Sequence, residues 1–165
     1  MMFFPKMYVK NFKTVPYDFL WERGINLLVF DIDNTLAVFT EKVPSSEIIS
    51  FFEDLKSKGF SVALLSNNSK ERVEGFNKNL GLFAIAKAGK PKRGGIKKIL
   101  KHFNVEPYET AIIGDQIFTD IWCGNRMGVY TVLTRPLAKI DEFTVKLKRF
   151  PEKAVLKIIE KKYKK

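Results

Sequence analysis

The chain has 165 residues, 45% of them hydrophobic, with 29 Lys+Arg against 18 Asp+Glu for a net charge of +11. That length supplies apolar material for one core and little more, so a single domain over residues 1–165 is expected. The lone cysteine, Cys123, excludes an intramolecular disulfide. No stretch approaches the ~20 apolar residues of a membrane span. The start Met1-Met2-Phe3-Phe4-Pro5-Lys6 also lacks the basic-then-apolar order of a cleaved signal. A cytoplasmic protein, at most peripheral to a membrane, is expected, and its basic balance admits phosphate esters, nucleic acid or anionic lipid as partners.

In chain order, the opening stretch interleaves Phe3, Phe4, Tyr8, Phe12, Tyr17, Phe19 and Trp21 with Lys6, Lys10 and Lys13, a pattern that favours packing on the rest of the fold. Short continuous apolar runs predict strands at Ile25–Phe30, Phe60–Leu65, Phe83–Ala86, Thr110–Ile113 and Val129–Leu133. Between them lie helical segments. One starts at Pro44-Ser45-Ser46-Glu47 and ends at Gly59; the others are Ser69–Leu80, Gly94–Phe103 and Thr119–Met127. Strands buried on both faces and separated by helices predict a doubly wound α/β layer with a mainly parallel sheet. From Lys146 to the end, nine basic residues against Glu152 and Glu160 give a net charge of +7. A basic amphipathic helix is expected at about 152–165, with Val155, Leu156, Ile158, Ile159 and Tyr163 on one side. Such a helix can pack on the sheet or lie on an anionic bilayer, and the pattern leaves both readings open.

In a doubly wound sheet, the ligand crevice lies at the carboxyl ends of the strands. Four of the predicted strand ends carry polar clusters: Asp31-Ile32-Asp33-Asn34-Thr35, Ser66-Asn67-Asn68, Lys90-Pro91-Lys92, and Gly114-Asp115-Gln116 with Asp120 following. A carboxylate at the end of a buried strand is costly unless a cation or a reaction offsets its desolvation. Each cluster alone has an ordinary account as a turn or helix cap. Together they supply what a phosphoryl group with Mg²⁺ requires, oxygen ligands for a hard cation and donors for the phosphate oxygens. Lys92, Arg93 and the Gly94-Gly95 helix start make a second anion site conceivable, with an ordinary basic loop as the equal alternative. His102 reads as a surface or packing residue rather than a ligand, and Cys123 and Trp122 as core or helix-face residues. Arg126 reads as complementing a helix C-terminus, with the rim of the site as the other reading.

These segments resemble the four motifs of the haloacid dehalogenase superfamily, with Asp31-x-Asp33-Asn34-Thr35-Leu36 as a phosphatase-type first motif. With Arg72-Val73, Gly114-Asp115-Gln116-x-Phe118-Thr119-Asp120 and Gly124-Asn125-Arg126-x-Gly128, the chain is similar to the YqeG family of subclass IIIA phosphatases. That family is related to the mitochondrial-type phosphatidylglycerophosphate phosphatase. The likeness runs from about Pro5 to Arg149 and implies a Rossmann-like core. It further implies that Asp31 is nucleophile and Mg²⁺ ligand, and that Asp33 is general acid then base, with its backbone carbonyl toward the metal. Ser66 and the Asn67 amide would hold phosphate oxygens, Lys90 would neutralise the nucleophile and the transferring group, Asp115 would be the second carboxylate on the metal, and Asp120 would support it. An acid at position 33 favours phosphatase over dehalogenase chemistry, although mutases share it.

Superfamily relatives often insert a cap after the first motif or between the second and third. Leu36 to Ser45 leaves room only for a loop, and Ser69 to Lys90 is used up by one helix and one strand, so no cap is expected. The sequence therefore predicts a Mg²⁺-dependent phosphomonoester hydrolase with an open site, and phosphatidylglycerophosphate is the best substrate expectation. The alternatives are a phosphatase of nucleotides, nucleic-acid ends or another soluble ester, and a non-catalytic anion-binding scaffold. No dedicated nucleic-acid module is recognisable. Oligomeric state is left open.

Overall fold

The structure, a computed structural model, describes residues 2–138 and 154–163. Six strands form one sheet, all pairs parallel: β1 (Met7–Val9), β2 (Leu27–Phe30), β3 (Ser61–Leu65), β4 (Phe83–Ile85), β5 (Thr110–Gly114) and β6 (Tyr130–Thr134). The spatial order is β1-β6-β5-β2-β3-β4. The chain therefore winds outward from β2 through β3 to β4, then crosses back to β5 on the other side. That reversal beside β2 is the topological switch point, where strand ends splay and leave a crevice. The doubly wound parallel fold expected from the sequence is present.

Both faces of the sheet are covered. On one face Leu28 and Phe30 pack with Leu20 of α1 (Tyr17–Glu22), with Phe52 and Leu55 of α2 (Ser46–Ser57), and with Phe76 of α3 (Lys70–Asn77). On the other, Leu27 and Val29 pack with Ile96 and Ile99 of α4 (Gly94–Phe103) and with Cys123 of α5 (Trp122–Met127). Alternate β2 residues thus serve opposite layers, which is why the strand is apolar throughout. Ser45 and Ser69 cap α2 and α3 by accepting the Ile48 and Arg72 backbone N–H groups.

Several boundaries differ from the sequence expectation. The stretch expected as one helix over Thr119–Met127 is a π-helical turn, Ile117–Ile121, continued by α5. The opening stretch packs as expected, and does so through two elements the periodicity did not predict. β1 is a three-residue edge strand on β6, and α1 places Tyr17 and Leu20 in the core. The last described helix, α6 (154–163), buries Ile159 completely against Ile117, Ile121 and Leu133. Its Tyr163 hydroxyl donates to the Pro5 carbonyl at 2.6 Å. Val155, Leu156, Ile159 and Tyr163 are thus turned to the protein, whereas Ile158, expected on the same side, is 58% exposed. The expected helix start near 152 and the limit of the likeness at Arg149 lie outside the described residues.

His102 stacks on Phe83 with ring centroids 3.7 Å apart, and Cys123 is buried, its thiol pushed up to about 11, chiefly by burial. Both pack, as expected. Arg126 donates to the Pro91 carbonyl at 3.1 Å, tying α5 to the loop that carries Lys90.

Candidate active site

Asp31 is the first residue after β2, and its backbone N–H donates to the Ile113 carbonyl, which continues the β2–β5 ladder to the strand end. Its carboxylate is buried and meets a lysine carried by the loop after β4. Lys90 Nζ donates to Asp31 Oδ1 at 2.6 Å, to Asp120 Oδ1 at 2.6 Å and to the Leu65 carbonyl at 2.7 Å. Three acceptors use all three ammonium protons, so the charge is fixed in place. The Lys90 backbone is fixed as well: Asn67 Oδ1 accepts the Lys90 N–H at 2.7 Å, and Asn67 Nδ2 donates to the Lys90 carbonyl at 3.0 Å. The Asn67 side chain thus serves the lysine loop.

Asp120 lies in the π-helical turn with no exposed surface. Its second oxygen accepts the Gln116 N–H at 3.1 Å, and a Cβ on Gly114 would collide with its carboxyl group. Gly114 is therefore the residue that lets β5 end against an acid. Asp115 follows it, also buried, and accepts from Thr35 Oγ1 at 3.4 Å. Ser66 is buried at the end of β3, and its Oγ accepts the Asn68 N–H at 3.1 Å.

The remaining acid is held separately. Asp33 Oδ1 accepts from Arg72 Nε at 3.1 Å and Nη2 at 2.9 Å, while Asp33 Oδ2 accepts from Asn68 Nδ2 at 3.0 Å. Arg72 Nη1 also donates to the Glu41 carbonyl at 2.6 Å, so one buried guanidinium joins Asp33 to the loop after the first motif. Sequence reasoning quoted Arg72 but gave it no task. A signal was present: a cation in the first turn of α3 opposes the helix dipole and calls for a carboxylate partner.

Carboxylate oxygens of Asp31, Asp115 and Asp120 all lie within 4.8 Å of one another. Asp31 and Asp120 share one lysine, so that pair of buried acids carries more negative charge than Lys90 offsets, with Asp115 beside them; Asp33 is paired apart with Arg72. A divalent cation offsets that excess, and oxygen-only donors suit a hard one. Asp31 registers the imbalance. Burial pushes its carboxyl up to about 7, opposed by Lys90 and reinforced by Asp120 and Asp33. Burial works against the Lys90 ammonium, yet Asp120 and Asp31 outweigh it and its pKa is raised.

Because the folded Asp31 titrates above its ordinary 3.8, its ionisation destabilises the metal-free fold as pH rises from about 4 through about 7. Proton and cation compete for this group, so Mg²⁺ is expected to raise the melting temperature more above pH ~8 than below pH ~5. Thermal scans with Mg²⁺ or EDTA at both pH values measure this; an equal shift at the two would contradict it.

A buried strand-end carboxylate faced by a fixed lysine and further acids, on this doubly wound sheet, is the arrangement that the likeness to haloacid dehalogenase phosphatases implies. The family model described as mitochondrial PGP phosphatase matches residues 1–138, and the chain belongs to that family. It is 32% identical to a probable phosphatase, YqeG, of Bacillus subtilis, over 97% of this chain and 93% of that protein. It is 30% identical to the chloroplastic/mitochondrial phosphatidylglycerophosphate phosphatase 1 of Arabidopsis thaliana, covering 93% of this chain and 47% of that protein. In fold it is similar to a haloacid dehalogenase superfamily hydrolase (subfamily III A) from Legionella pneumophila, with a TM-score of 0.56 at 16% identity over 76% of this chain and 77% of that one.

Proposed function

We propose that the chain hydrolyses a phosphate monoester in two steps through Asp31, with phosphatidylglycerophosphate as substrate. The observation that carries the reading is the Asp31–Lys90–Asp120 contact with Asp115 beside it, a nucleophile already paired with the cation that would screen its approach to a phosphate dianion. In the first step an Asp31 oxygen attacks phosphorus in line with the ester oxygen. The P–O(ester) bond breaks as the acyl–phosphate bond forms, and the leaving oxygen takes its proton from Asp33, which must enter this step protonated and so released from its ion pair with Arg72. In the second, Asp33 takes a proton from water, which attacks the same phosphorus and frees Asp31. Lys90, the Ser66 hydroxyl and the Asn67 main-chain amide hold the phosphate oxygens, and Arg72 with Asn68 positions Asp33. Asp31, Asp115 and the Asp33 carbonyl would hold Mg²⁺, with Asp120 supporting. The ion supplies charge neutralisation at the phosphoryl oxygens when bound.

The substrate proposal rests on family membership, on the relatives named for that lipid, and on the loop-only connection between β2 and α2, which places no cap there among the described residues. Purified protein with Mg²⁺ is expected to release phosphate from phosphatidylglycerophosphate in mixed micelles at least ~10²-fold faster than from hexose phosphates, as binding of the remote lipid portion lowers the barrier. Equal or reversed rates would remove the lipid substrate and leave the chemistry standing.

A further inference from the structure

We propose that the rim of the catalytic crevice is a docking surface for an anionic lipid bilayer, which deepens the lipid-phosphatase reading and rests on it. Eight large apolar side chains of the described residues are exposed, and three of them sit together on loops leaving the carboxyl edge of the sheet. Phe39 (42% exposed) and Val43 (58%) lie on the loop after β2, and Leu137 (43%) lies just past β6. Their loops are tied directly to the site. The Leu137 N–H donates to the Asn34 carbonyl, beside Asp33, at 3.0 Å. The Phe39 ring lies 6.0 Å from the Arg72 guanidinium that grips Asp33, and Val43 is two residues from the Glu41 carbonyl held by the same guanidinium.

Cations share this edge. Lys42 Nζ lies 4.7 Å above the Phe39 ring, exposed Lys92 follows Lys90-Pro91, and exposed Arg135 follows β6. Among the described residues none of these three forms an ion pair. Apolar side chains that can enter the acyl boundary, ringed by cations at headgroup depth, are complementary to an anionic bilayer. The same geometry explains how an uncapped site could exclude bulk water, with the bilayer covering the mouth while a lipid phosphate rises to Asp31. An acidic protein would match the cations but not the apolar tips, and a second copy of this chain would present like charge.

The test uses the full chain and vesicles of phosphatidylglycerol with phosphatidylcholine, against phosphatidylcholine alone. Phosphatidylglycerol carries no phosphomonoester, so docking is read without turnover. The wild type should sediment with the anionic vesicles only. Val43→Ser/Leu137→Ser should lower that partition roughly tenfold or more, and Phe39→Ser should lower it further. Turnover of a soluble aryl phosphate and the melting temperature should stay at wild-type values in the double variant. The proposal is overturned if the double variant partitions like the wild type or if the wild type binds neither vesicle. It is equally overturned if binding is lost only on Lys161→Gln/Lys162→Gln in α6. Docking without hydrolysis of phosphatidylglycerophosphate would sink the substrate reading alone, and hydrolysis with undiminished docking of the double variant would sink this one alone.

Discussion

Asp31→Asn is expected to lower turnover of an aryl phosphate by roughly 10³-fold or more while leaving the protein folded. The amide keeps the shape of the side chain and its reach to Lys90, and it removes the oxygen nucleophile on which both chemical steps depend. Its effect on stability separates this loss from misfolding. Burial already pushes the Asp31 carboxyl up to about 7, so its ionised form is disfavoured where it stands. Replacing it removes a negative charge from the pair of acids that shares Lys90, and the metal-free variant should melt no lower than the wild type at pH ~8. Mg²⁺ should then raise the melting temperature less than in the wild type, because a ligand has gone. A variant with near-normal turnover would remove Asp31 from the reaction.

Lys90→Met is the second large effect, and its stability term has the opposite sign. Lys90 is buried with all three ammonium protons placed on Asp31, Asp120 and the Leu65 carbonyl. Methionine fills most of the volume but leaves two buried carboxylates facing each other without their shared cation. Removing one partner of a buried charge pair costs about 3–5 kcal/mol. The cost should appear as a lower melting temperature, partly restored by excess Mg²⁺. Turnover should fall by about 10²–10³-fold even where the variant is fully folded, since the lysine also screens attack on an anionic phosphate. Calorimetry with and without Mg²⁺, paired with kinetics well below the melting point, measures both. Unchanged stability would mean that the acids do not depend on Lys90.

Much of this was legible in the sequence because burial on both faces leaves no room for ambiguity. β2, β3, β4 and β5 read as short apolar runs, and the four polar clusters follow their carboxyl ends. What the runs did not reveal depends on edges and on meetings between distant segments. β1 is three half-buried residues at the sheet margin, too short for period-two alternation to register within an aromatic and basic stretch. The grip of Arg72 on Asp33 joins α3 to a loop 39 residues earlier, a pairing that no local pattern encodes. The π-helical turn at Ile117–Ile121 has the same apolar spacing as an α-helix start, yet it places Asp120 beneath Lys90 and so brings a third carboxylate into the cluster. α6 was ambiguous for a different reason. One amphipathic pattern serves both a protein face and a bilayer, and only the complete burial of Ile159 places its apolar side on the fold.

The proposed mechanism makes Asp31 the residue that briefly carries the phosphoryl group. The most direct measurement is acid quench of the Mg²⁺-loaded protein during turnover, followed by peptide mass spectrometry. With an aryl phosphate whose leaving group needs no proton, Asp33→Asn slows the second step selectively and lets the intermediate accumulate. The account predicts a phosphoryl adduct on Asp31, removed by hydroxylamine and absent from Asp31→Asn. Full hydrolytic activity with no adduct on Asp31, or with the phosphoryl group on another residue, would contradict it.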